Sequence, residues 1–126
     1  MPNYDSEKFE PPAPLAKIIL RNIETGAELP DVPMLLDTGA DTTLLPKEIV
    51  RLLGIEMIAD RQYQLIGFDG STSFAEVVEV ALVFQGKVFR GQFLLIEQEW
   101  GILGRNILNA LALLFDGPRL VWDVNK

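Results

Sequence analysis

The sequence predicts an all-β, barrel-like domain with one or two short helices. Three observations carry that prediction. Strand-like apolar runs are punctuated by turn residues about every 8–12 positions. The run Val32–Leu36, broken only by Pro33, ends abruptly in a polar loop beginning Asp37-Thr38-Gly39. Asp69-Gly70 sits between two further strand-like segments, where an Asp-Gly pair is a strong hairpin signal.

The N-terminal stretch, residues 1–14, is polar and carries Pro2, Pro11, Pro12 and Pro14, so it reads as a flexible or extended arm ahead of a single domain over residues 15–126. Lys17–Ile23 reads as a strand, Glu24-Thr25-Gly26-Ala27 as a turn, and Val32–Leu36 as a returning strand suited to burial on both faces. Gly39 permits a sharp turn, after which Leu44-Leu45 resumes as a strand. Pro46 suits the start of a short helix, Lys47–Leu53, ended by Gly54.

Arg61–Gly67 and Ser73–Phe84 form the expected hairpin through Phe68-Asp69-Gly70-Ser71. Phe84-Gln85-Gly86-Lys87 turns the chain into a strand over Val88–Ile96. Trp100-Gly101-Ile102-Leu103-Gly104 leads into a short helix over Arg105–Ala110. Leu111–Phe115 fits a helix continuation or a buried strand equally well, because a short apolar run has no deciding period. Asp116-Gly117-Pro118 followed by Leu120–Val124 favours a C-terminal hairpin.

Composition bounds the chemistry. With 126 residues, 48% of them hydrophobic, the chain suits one folded domain with a modest core. Its 11 Lys and Arg against 18 Asp and Glu give a net charge of −7, and no basic cluster is present, so nucleic acid is not an expected partner. The first ten residues lack the basic and apolar regions of a secretory signal, and the longest near-apolar run, Ile107–Phe115, is too short for a bilayer. A cytoplasmic location without a membrane partner is the expectation. The chain has neither His nor Cys. That excludes a Ser-His-Asp triad, a Cys-His pair and a His/Cys zinc site. A phosphate loop ending in Lys-Ser/Thr is also absent, so neither cofactor nor metal is expected. Carboxylates, Lys and Tyr remain as acid–base groups.

Among the carboxylates, Asp37 stands out because it lies where a strand leaves the core. A carboxylate held in apolar surroundings at a desolvation cost is a functional candidate. Thr38 and Thr43 supply hydroxyls nearby. The bland alternative is an Asx-type turn between two strands.

The segment Leu35-Leu36-Asp37-Thr38-Gly39-Ala40-Asp41-Thr42-Thr43 resembles the active-site loop of the aspartic proteases, in particular the retroviral-type branch (retropepsins) and its cellular and bacterial single-domain relatives. Gly101-Ile102-Leu103-Gly104-Arg105-Asn106-Ile107-Leu108 is similar to the family's hydrophobic-hydrophobic-Gly-Arg-Asn segment, and it follows in the family's order. The two matches and the hairpin between them cover most of residues 14–124. The resemblance implies a closed or partly open barrel of the acid-protease type, with a flap hairpin and a C-terminal β-hairpin.

It also implies an endopeptidase acting on peptide or protein substrates, with Asp37 as its catalytic carboxylate. Thr38 would support the loop, Gly39 would let substrate backbone approach, and Arg105 would pair with Asp41 to brace the loop. Ile66, Gly67, Phe68, Asp69 and Gly70 would cover the substrate from the flap. One Asp-Thr-Gly per chain implies a homodimer, with the N-terminal arm and Leu120–Val124 as expected interface strands.

The flap tip departs from the glycine-rich, apolar viral pattern. Two Asp69 carboxylates meeting near a two-fold axis would raise the pKa of at least one, which leads to the expectation of acid-favoured cleavage whose falling limb moves upward in Asp69→Asn. The competing reading is a catalytically silent dimerisation or peptide-binding module that keeps the fold. A β-barrel binder of small ligands explains neither motif.

Overall fold

The apolar run that ends at Asp37 is the second half of strand β3 (Glu28–Leu36), in which Val32, Met34 and Leu36 alternate into the interior. β3 lies antiparallel to β2 (Ala13–Arg21), whose Ala16, Ile18 and Leu20 face the same core. A bulge between Ile18 and Leu20 absorbs an extra residue on β3, where Asp31 takes φ 59°. The computed structural model describes residues 1–58, 62–66 and 69–125.

The remaining elements follow in chain order. β1 (Tyr4–Asp5) precedes β2, and β4 (Leu44–Pro46) and α1 (Lys47–Leu52) follow β3. β5 (Gln62–Ile66), β6 (Thr72–Phe84) and β7 (Lys87–Ile96) form a meander. β8 (Gly101–Leu103), α2 (Arg105–Leu108), β9 (Leu113–Asp116) and β10 (Val121–Val124) complete the chain.

Pairing runs β2–β3–β8–β4–β7–β6, and Ile19–Arg21 of β2 then pairs with Ala81–Val83 of β6, so six strands close into a ring. Closure removes the edges of these strands. β1 hangs on β2, and β5 hangs on the outer part of β6. The core fills the ring: Ile18, Leu20, Val32, Met34, Leu45, Val78, Val80, Leu82 and Leu103 are buried, together with Ile107 from α2 and Trp122 from β10. Burying each such large side chain contributes about 1.5–3 kcal/mol, which decides the alternation along β6. Val78, Val80 and Leu82 enter this core, while Ala75 and Val77 join Leu94 in a smaller cluster under β5.

Several boundaries differ from the sequence expectation for local reasons. β2 begins at Ala13, and Tyr4–Asp5 pairs with its first residues, so the stretch over 1–14 includes paired strand. Phe9 also sets its ring edge-on against Trp100, 5.0 Å between centroids. The first helix ends at Leu52, with Leu53 as its cap and Gly54 at φ 69°. The second helix has only four residues, and Ala110 and Leu111 close it with tight bonds to the Ile107 and Leu108 carbonyls. The ambiguous stretch Leu111–Phe115 resolves as a strand from Leu113 onward, because Leu113–Asp116 has β10 to pair with.

Candidate active site

The long strand β3 and two short strands, β8 and β4, position the loop that carries Asp37. β8 runs parallel to β3, with Met34, Leu35 and Leu36 opposite Gly101, Ile102 and Leu103. β4 meets β8 on its other side at Leu44–Ile102 and runs parallel to β7. The loop 37–43 connecting β3 to β4 therefore arches over the end of β8. β3 and β4 are not neighbours, because β8 lies between them, so the connection has to span a strand and takes the form of an arch.

The arch is stitched to the chain that leaves β8. The Asp37 N–H donates to the Leu103 carbonyl at 3.1 Å, and the Arg105 N–H donates to the Ala40 carbonyl at 2.8 Å. The Gly104 N–H donates to Thr43 Oγ1 at 3.1 Å, and that hydroxyl donates onward to Asn106 Oδ1 at 2.7 Å. Thr43 is fully buried, so its hydroxyl is the polar centre of an apolar junction.

Thr43→Val keeps the shape and removes both bonds, leaving the Gly104 N–H and the Asn106 amide short of partners. The expected cost is about 1–3 kcal/mol of stability, read from the shift in denaturant midpoint. A variant with an unchanged midpoint would show that the hydroxyl does not hold the arch.

Asp37 itself is half-buried, while Thr38 and Gly39 are exposed. Its Oδ1 accepts the Gly39 N–H at 2.9 Å, and its carbonyl accepts the Ala40 N–H at 3.2 Å. The carboxylate is thus oriented by its own loop. Arg105 reaches the loop, but not at Asp41 as the sequence suggested. Its Nη1 donates to the Thr38 carbonyl at 2.6 Å, and the ion pairs among the described residues do not include one between Arg105 and Asp41. The Arg105 main chain is tied to the same loop through the bond of its N–H to the Ala40 carbonyl. Asp41 is left exposed.

Asp41 and Thr42 instead line a cavity of about 400 Å³ with Gln64, Leu65, Val77, Gln92 and Leu94. Its lining mixes the polar side chains of Asp41, Thr42, Gln64 and Gln92 with the apolar ones of Leu65, Val77 and Leu94. None of the five strand residues stood out in the sequence, since they come from β5, β6 and β7. Alternation along β5 is the signal that would have found Leu65. Leu65 packs inward against the small cluster, so its neighbour Ile66 points outward and is 75% exposed, near Phe74.

Of the remaining hairpin-tip residues, Gly67 and Phe68 lie outside the described residues. Gly70 takes φ 83°, a conformation suited to a residue without Cβ. Asp69 Oδ1 accepts the Ser71 N–H at 2.9 Å. The Ser71 hydroxyl and then the Ser71 N–H hold the Asp69 carboxyl below the usual carboxylate range. Within one chain the shift therefore runs opposite to the one expected from two tips meeting. A carboxylate whose pKa is lowered by folding stabilises its turn above the unfolded value, and that contribution fades only as the pH falls through the lowered value. Asp69→Asn is expected to leave the pH profile of kcat/KM superimposable on the wild type. An upward move of the falling limb would show instead that the two tips meet.

No group of carboxylates that could hold a metal occurs among the described residues. Nor does any described helix have the length and apolarity to cross a membrane.

Comparison with known proteins agrees with this geometry. The family description "Aspartyl protease" matches residues 23–107, which include the arch and the Gly104-Arg105-Asn106 segment beneath it. Among solved structures, the retroviral EIAV protease in complex with an inhibitor aligns at 26% identity with a TM-score of 0.58, covering 85% of this chain and 91% of that one. No curated protein matches the chain. With the family match spanning two thirds of its length, the chain belongs to the aspartyl protease family and has the retropepsin-like fold.

Proposed function

We propose that the protein is an aspartic endopeptidase whose active centre forms from two copies of the chain, each contributing Asp37. The observation that carries this reading is the intact Asp37-Thr38-Gly39 loop, held from below by Leu103, Gly104 and Arg105 and open at its outer rim. One chain supplies one such loop. Two carboxylates brought face to face across a water cannot both ionise, so they hold one proton between them.

The ionised Asp37 takes a proton from the water as its oxygen bonds to the peptide carbonyl carbon. The protonated Asp37 hydrogen-bonds the oxygen that becomes negative. Collapse of the tetrahedral intermediate breaks the C–N bond, and a proton passes to the leaving amine. Gly39 leaves space beside the carboxylate for substrate backbone, and Thr38 and Arg105 are exposed in a single chain, where a second copy would cover them. The hairpin of β5 and β6 is the flap in this account. Leu65 with Asp41, Thr42 and Gln92 would form the wall of a side-chain pocket.

The test is cleavage of unstructured peptides by the purified protein, with and without a statine peptide that mimics the tetrahedral intermediate. Turnover blocked by the statine peptide supports the reading. A catalytically silent peptide-binding module would bind the same statine peptide and release no product.

A further inference from the structure

Asp41 carries a charge that the folded chain leaves unanswered. It follows the turn closed by the Ala40 N–H and the Asp37 carbonyl, so both carboxylates belong to the same short arch. Among the described residues, no ion pair or side-chain hydrogen bond engages it. Two cations follow the strands of the arch, Arg105 after β8 and Lys47 after β4, and both are committed elsewhere. Arg105 donates to the Thr38 carbonyl, and Lys47 Nζ lies 2.8 Å from Glu76 Oε1 and 3.6 Å from Glu97 Oε1.

An exposed carboxylate on its own would say little, but Asp41 also lines the cavity of about 400 Å³ beside the arch. Val77 is fully buried and Leu94 is 7% exposed, so these two make its floor. Half-buried Leu65 packs with them in the smaller apolar cluster. Asp41, Gln64 and Gln92 stand exposed at the rim. Among the described lining residues Asp41 alone is charged.

An apolar floor under a single anionic group at the rim suits one kind of side chain. Lysine and arginine lay their methylene stems along apolar surface and keep the cationic head at the water boundary. A wholly apolar side chain would cover the floor but shield Asp41 from water without giving it a partner. An acidic one would bring like charges together.

We propose that this cavity is a specificity pocket for a basic side chain of the substrate, with Asp41 as the residue that selects it. On the protease reading, on which this inference rests, substrates are peptides with Lys or Arg at one fixed place relative to the bond that is cut. The stem lies over Leu65, Val77 and Leu94, and the cation meets the Asp41 carboxylate beside Thr42. A hydrogen bond between charged groups supports a preference of about ten- to a hundredfold. The open rim keeps the head partly hydrated, which puts the expected value near the lower end. The net charge of −7 also attracts cationic peptides, but that attraction has no positional register and is screened by salt.

The test is digestion of a library of unstructured peptides at physiological salt, with cut sites read by mass spectrometry. Lys and Arg are expected at one position relative to the cut about tenfold above their abundance in the library, with Asp and Glu depleted there. Asp41→Lys, at an exposed position, is expected to reverse that pattern in favour of Asp and Glu. Asp41→Asn, nearly the same shape, is expected to bring Lys and its uncharged analogue norleucine to parity, and it serves where the charge reversal disturbs folding by circular dichroism. Glu7→Lys makes the same change of net charge on an exposed residue outside the cavity lining, and is expected to keep the wild-type pattern. Cut sites with no basic preference at any position, or a preference that survives in the Asp41 variants, would overturn the pocket and leave the protease reading standing.

Binding separates the pocket from the chemistry. Statine peptides with Lys placed in turn at each position are compared with their norleucine counterparts on the wild-type protein. One lysine peptide is expected to bind about tenfold tighter than its counterpart. That result on a protein that cuts no peptide would keep the pocket and sink the protease reading. Equal binding at every position would overturn the pocket.

Discussion

Replacing Asp37 by Asn is expected to lower kcat/KM for peptide cleavage on the order of 10⁴-fold, the upper end of what positioned acid–base groups contribute. The fold and the self-association should survive. The amide oxygen of Asn can still accept the Gly39 N–H that Asp37 Oδ1 accepts at 2.9 Å, so the loop keeps its shape. Proton transfer is what the substitution removes, because an amide cannot take a proton from water near neutral pH. Circular dichroism and sedimentation report the first half of this expectation, and peptide turnover reports the second. Turnover within about tenfold of wild type would mean that the cleaving group lies elsewhere.

Gly104→Ala is expected to damage stability and activity together. A Cβ at Gly104 would collide with the Thr42 main chain, its carbonyl oxygen first and its nitrogen at 2.9 Å. Backbone cannot give way as a flexible side chain does, so the arch itself must move. Forcing extra volume into packed structure costs about 1–3 kcal/mol, and here the strain falls on the bond between the Gly104 N–H and Thr43 Oγ1 as well. A shift of the loop on the order of 1 Å would misplace Asp37 and cost about 10²-fold in turnover. Thermal unfolding and kcat/KM measured on one preparation separate the two effects. Full activity in a destabilised variant would show that the arch tolerates displacement, and the loop would then not be positioned by the Gly104 segment.

The Asp37 loop and the segment that holds it were legible as local structure because each is specified by residues only a few positions apart. Asp37, Gly39 and the Gly104-Arg105-Asn106 step carry their requirements in local backbone geometry. The hairpin of β5 and β6 was legible from its Asp-Gly turn, and the closed all-β architecture from the spacing of turn residues. What escaped the sequence depends on contacts between distant positions. Leu111–Phe115 could not be assigned, because its strand conformation follows from pairing Leu113 with Val124 and Phe115 with Trp122. Asp41 and Arg105 looked like partners on charge, but the Arg105 main chain is committed to Ala40, and only the folded loop reveals that. The cavity residues Gln64, Leu65, Val77, Gln92 and Leu94 are brought together by sheet register, with β7 aligned to β4 at Leu94–Leu44 and to β6 at Leu94–Val77. The segments at the two ends pair with each other through Tyr4, Leu120 and Trp122, contacts between positions more than a hundred residues apart in a chain of 126.

The central claim is that one active centre takes Asp37 from each of two chains, and subunit mixing tests it most directly. Wild-type and Asp37→Asn proteins are combined in varied proportions, unfolded together, refolded and assayed at constant total concentration. If both carboxylates are needed, only dimers of two wild-type chains cleave, and activity follows the square of the wild-type fraction, falling to about one quarter in an equal mixture. Activity that falls in simple proportion, to about one half at equal mixing, would show that each Asp37 works alone and would contradict the account.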